Sequence, residues 1–81
     1  MRTDICTRDD YPKQAALLEV LARIGAFPDD DFDLEVPFPT GLLRFRVGTE
    51  LLTVFSDTWA VDLEGPDEFV LRVLDAMERI E

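Results

Sequence analysis

Any chemistry in this chain falls to carboxylates, arginines and one thiol, because its 81 residues include no histidine and a single cysteine, Cys6. Serine and cysteine nucleophiles are usually activated by a histidine base, and here there is none. Ser56 is the only serine and sits between Phe55 and Asp57, outside any Gly-x-Ser-x-Gly elbow. Cys6 has Arg2 and Arg8 near it in sequence, an arrangement that lowers a thiol pKa slightly, but it lies in a polar N-terminal stretch. Zinc sites need clusters of cysteine and histidine that the chain lacks. The run Asp29-Asp30-Asp31-Phe32-Asp33 places carboxylates at 29, 31 and 33 with the spacing of a calcium loop. Such a loop requires glycine at its sixth position and glutamate at its twelfth, which here are Leu34 and Thr40. The run therefore reads as a solvated acidic turn. The four glycines, at 25, 41, 48 and 65, form no phosphate-cradling cluster. No metal, no cofactor and no catalytic residue is expected, and an enzymatic role is not expected either.

The charge balance narrows the partners. Eighteen acidic residues against eight basic ones give a net charge of −10, spread along the chain and not gathered in a tail. A field of that sign repels phosphate backbones and anionic lipid heads, so nucleic acid and membrane are poor partners and a protein surface is a better one. The lone cysteine cannot pair within the chain, and no leader-like or membrane-spanning apolar run is visible, so a cytoplasmic protein is expected. Of the eight bases only Lys13 is a lysine, a bias that points to a GC-rich bacterial genome.

The elements that must position these residues can be read from periodicity. The length allows one domain, over residues 1–81, with 1–9 polar and loose. Asp9 and Asp10 before Tyr11-Pro12 form a helix start, and Leu17, Val20, Leu21 and Ile24 recur at helical spacing before Gly25. Phe32 to Val36 alternates as a half-buried strand. Leu42–Val47, Glu50–Phe55 and Thr58–Leu63 are three further strands, joined by two-residue turns at Gly48-Thr49 and Ser56-Asp57. Gly65-Pro66-Asp67-Glu68 opens a last helix with an apolar stripe of Phe69, Val70, Val73, Leu74, Met77 and Ile80.

Closing the two hairpins gives a single consistent face. The first turn sets Phe45 opposite Leu52 and Leu43 opposite Val54; the second sets Val54 opposite Trp59 and Leu52 opposite Val61. Leu43, Phe45, Val47, Leu52, Val54, Trp59, Val61 and Leu63 then share an apolar inner face. Leu34 beside Phe45 would put Glu35 opposite Arg44 and Asp33 opposite Arg46 on the other side. The expected fold is α+β, helix, four-stranded antiparallel meander, helix, with both terminal helices on one face.

The outer face is what remains for function. Leu42, Leu51 and Phe55 make an apolar strip, with Arg44, Arg46 and Asp62 beside it, and these six are the partner-binding candidates. The reading that follows is a small acidic protein–protein interaction module, of inhibitor, immunity or secretion-chaperone type, that contacts another protein or a second copy of itself as a homodimer. The alternative is a regulatory domain holding a small cation or cationic ligand at the acidic segment 29–35. Leu51→Glu or Phe55→Glu should abolish association in the first case; Asp29, Asp31 or Asp33→Asn should matter only in the second.

Overall fold

The computed structural model describes residues 1–29 and 36–80, excepting the side chain of Ile80. The elements run β1 (Arg2–Thr7), α1 (Tyr11–Arg23), β2 (Phe27–Pro28), β3 (Gly41–Val47), β4 (Glu50–Ser56), β5 (Ala60–Glu64) and α2 (Asp67–Ile80). The class is α+β, with a five-stranded antiparallel sheet in the order β1-β5-β4-β3-β2.

Local chemistry starts both helices and ends the first. The Asp10 carboxylate accepts from the Lys13 amide at 3.3 Å and caps α1, with Pro12 in the first turn. At the other end Gly25, at φ +80°, lets Ala26 N donate to Leu21 O and Gly25 N to Ala22 O, the paired bonds of a Schellman motif. Pro66 O accepts from Phe69 N and Val70 N at the start of α2. Leu17, Val20 and Leu21 of α1 and Val70, Val73 and Met77 of α2 join one core with Leu43, Phe45, Val47, Leu52, Val54, Val61 and Leu63 of the sheet.

The β3–β4 hairpin has the expected register, with Phe45 opposite Leu52 and Leu43 opposite Val54. Gly48 has φ +61° and no non-glycine residue among the described residues has positive φ. Thr49 is therefore not left-handed, which fits a type II′ turn and excludes type I′.

Three expectations are corrected. Residues 1–9 are not loose: Arg2–Thr7 is a strand on the β5 edge, so the first helix is not the first element and the four-stranded meander gains a fifth strand. Its alternation is hidden by a bulge between Asp4 and Cys6, which lets the adjacent Ile5 and Cys6 both pack against the core. Second, the turn between β4 and β5 lies at Thr58-Trp59 instead of Ser56-Asp57. Asp57 N donates to Ala60 O, while the Asp57 carboxylate accepts from Trp59 N and Ala60 N at 2.8 and 2.7 Å. Aspartate is acting here as the first residue of a turn, tying its own backbone two and three residues on. The register becomes Val54 opposite Leu63 and Ser56 opposite Val61. Third, Trp59 consequently belongs to the turn and not to the core, and is 81% exposed.

The expected strand at 32–36, and with it the Asp33–Arg46 and Glu35–Arg44 pairs, falls almost wholly outside the described residues. The position beside Phe45 is taken by Pro28, and Phe27 stands opposite Arg46. Proline fits there because β2 is an edge strand.

Candidate interaction face

Registers alone place the outward side chains, since residues directly opposite on antiparallel strands share a face. Three rows cross the sheet. The first is Asp4–Asp62–Phe55–Leu42, the second Arg2–Glu64–Thr53–Arg44, and the third Leu51–Arg46–Phe27. All six sequence candidates, Leu42, Arg44, Arg46, Leu51, Phe55 and Asp62, stand together on this face, as the pattern required. Leu42 is 54% and Leu51 40% exposed, and Phe55 is half-buried.

Arg46 and Arg2 are each held within the face. Arg46 Nε donates to Asp29 Oδ1 at 2.9 Å, a pairing at the β2 edge. Arg2 was missed by sequence reasoning because its segment reads as loose. Its Nε and Nη2 donate to Asp62 Oδ2 at 3.2 and 3.0 Å, and its guanidinium lies 4.1 Å from the centre of the Phe55 ring. A cation over an aromatic face and a two-bonded carboxylate fix the same group from two sides. Half of Phe55 is thereby covered from within the chain. A hollow of about 240 Å³ beside it is lined by Arg2, Thr40, Gly41, Leu42, Phe55, Ser56 and Asp57.

Asp4 was missed for the same reason. It stands opposite Asp62, whose side chain is only 16% exposed and whose Oδ1 is buried with no N–H or hydroxyl donor. Asp4 can offer that oxygen a donor only in its protonated form. The hydrogen bond to Asp62 and the Asp62 charge hold the Asp4 pKa above its ordinary 3.8, with Arg2 opposing. The arrangement can therefore hold a proton between two carboxylates beside an arginine.

The remaining candidates behave differently. Burial pushes the Cys6 thiol up to about 11, with the Asp10 charge adding and Lys13 opposing. The expected lowering by neighbouring arginines is overturned, and the thiol stays protonated at neutral pH. Two backbone N–H groups, of Ala60 and Trp59, hold Asp57 below the usual carboxylate range. Ser56 is buried and accepts from Arg8 Nη1. Among the described residues no three histidine, cysteine, aspartate or glutamate side chains gather as a metal site, and no helix is long and apolar enough to cross a membrane. The acidic run at 30–33 lies outside the described residues, and Asp29 is engaged with Arg46.

Compared with protein-family models, with curated proteins and with solved structures, the chain matches none.

Proposed function

We propose that this chain is a small acidic protein–protein interaction module whose contact surface is the outer face of the sheet. The observation that carries the reading is the row pattern itself. Exposed Leu42 stands beside half-buried Phe55, Thr53 and exposed Leu51 continue the strip along β4, and Arg44, Arg46, Asp62 and Glu64 stand on the strands to either side. An apolar centre with a polar rim is the anatomy of a protein contact, in which the centre supplies the affinity and the rim the register. Arg2 fits the same role, since its guanidinium is already ordered over Phe55 and loses little freedom when a partner arrives.

The test uses wild type and Leu51→Glu side by side as immobilised baits in a native lysate, with thermal melts to show that both are folded. Leu51 points outward, so the charge is solvated in the free protein and the fold should persist. Proteins held by wild type, including the chain itself, should be lost with the variant. Equal retention by the two baits would end this assignment of the surface.

A further inference from the structure

We infer that the hollow beside Phe55 is a binding site for a small zwitterion with an apolar body, of the class of apolar α-amino acids. Arg2 receives the carboxylate, Asp57 the ammonium, and Leu42 with Phe55 the body.

The first argument is the lining. Arg2 and Asp57 bring opposite charges to one hollow of about 240 Å³, whose apolar surface comes from Leu42 and Phe55. The two charges do not close on each other, since Arg2 pairs with Asp62 and Asp57 is bonded by backbone amides. Each keeps capacity to spare. Arg2 spends Nε and Nη2 on Asp62 Oδ2, which leaves its Nη1 N–H groups without an acceptor among the described residues. The Trp59 and Ala60 amides both donate to Asp57 Oδ1, which leaves Oδ2 for a cation. Both groups are already held in place, Arg2 by Asp62 and the Phe55 ring, Asp57 by its own turn. Little side-chain freedom is therefore lost on binding.

The second argument is the sign of the ligand. A carboxylate alone meets Asp57, with Asp62 behind Arg2, on a chain of net charge −10. An ammonium alone meets the Arg2 guanidinium, with Arg8 close by on Ser56. The Ala60 and Trp59 amides, and then the charges of Arg2 and Arg8, hold Asp57 below the usual carboxylate range, so it is ionised at neutral pH. A zwitterion is neutral in sum and answers both groups at once.

Size limits the class. The hollow, at about 240 Å³, is smaller than the roughly 300–1,000 Å³ of pockets that take drug-sized ligands, which suits one small molecule. So few ligand atoms on an open hollow support a dissociation constant on the order of 1 mM.

Two-dimensional amide NMR on the full chain at pH 7, titrated with L-leucine to about 20 mM, tests this. Three further probes each remove one feature. N-acetyl-L-leucine keeps only the carboxylate, L-leucinamide only the ammonium, and glycine lacks the apolar body. L-leucine should shift the Leu42, Phe55 and Asp57 amides saturably, and each of the other probes should bind at least about fivefold more weakly, the weight of one exposed contact. Asp57→Asn keeps an oxygen for the two turn amides while removing the charge, so it should weaken L-leucine about fivefold in a protein that still melts cooperatively.

The absence of saturable shifts up to that concentration overturns the site, as do shifts that gather elsewhere on the chain. N-acetyl-L-leucine binding as tightly as L-leucine leaves a carboxylate site alone, and L-leucinamide doing so leaves a cation site; either overturns the zwitterion. Glycine as tight as L-leucine, or Asp57→Asn as tight as wild type, overturns the assignment of roles and the inference with it. Leu51 is not among the lining residues, so the lysate comparison bears on the protein contact and leaves this site untouched.

Discussion

Gln14 should be among the most sensitive positions in the molecule, although it is polar and sits on a helix face otherwise occupied by leucine and valine. Its side chain is fully buried. Oε1 accepts from the Phe38 amide at 2.9 Å, and Nε2 donates to the Arg8 carbonyl at 2.6 Å. One residue thus ties α1 to the chain following β1 and to the segment leading into β3. In Gln14→Leu the volume is nearly kept, so no large cavity opens. What is lost is partners. The Phe38 N–H is sealed beneath a side chain that is 1% exposed, and a buried donor without an acceptor costs about 1–3 kcal/mol. The Arg8 carbonyl is only part-buried and adds less. A total of about 2–3 kcal/mol is expected, against a stability of about 4–12 kcal/mol for a domain of this length.

Urea unfolding followed by far-ultraviolet circular dichroism measures it. With a slope near 1 kcal/mol per molar, the midpoint should fall by about 2–3 M with the slope unchanged. Arg23→Gln is the control, since its ion pair with Glu19 is exposed on both sides and should matter by less than about 0.5 kcal/mol. If Gln14→Leu is no worse than that control, the two backbone groups are finding water, and the account of Gln14 as a buried tie is wrong.

Gly65→Ala should destabilise by about 1–3 kcal/mol, because a methyl there would strike the buried Leu52 Cδ2 and crowd the Leu51 carbonyl at 3.3 Å; a thermal melt unchanged within error would show that Leu52 can step aside. Asp4→Asn should raise the melting temperature at pH 7 and lose that advantage as the pH falls towards 3. The Asp4 pKa is raised on folding, so wild-type stability from this group is complete below 3.8 and declines as pH rises through the raised value, where two carboxylates face each other. A difference in melting temperature that is constant with pH would show that Asp4 and Asp62 do not share a proton.

How much of this was legible in sequence depends on which physical signal carried it. The inner face was robust because side-chain direction depends only on parity. Placing the second turn at Ser56-Asp57 instead of Thr58-Trp59 changes every β4–β5 partner, yet leaves Val54, Val61 and Leu63 pointing inward. Trp59 alone suffers, since a residue at the end of a strand becomes a turn residue under that shift. The cue was Asp57, whose carboxylate favours the first position of a turn over its centre. Gln14 left no cue, because a buried amide is distinguished from an exposed one only by partners 6 and 24 residues away. The N-terminal strand was lost to its bulge, which sets Ile5 and Cys6 side by side and breaks the alternation that identifies a strand.

That last loss reaches furthest, because the outer face is built from both ends of the chain. Arg2 meets Asp62 across 60 residues, and without β1 the partly sheltered Asp62 would stand as an unanswered acid beside Phe55. With β1 in place, a strand that brings one arginine and one aspartate leaves the local charge unchanged in sum while changing where it lies. Arg2 covers part of the aromatic ring, and Asp4 stands opposite Asp62, whose buried oxygen it can answer only when protonated. The cationic column on β3 and the acidic column on β5 then remain at one strand's distance on either side of β4. Net charge is a property of composition, whereas this gradient is a property of topology. A chain with the same residues and a different strand order would carry the same −10 and would not bring Arg2 onto Phe55 and Asp62.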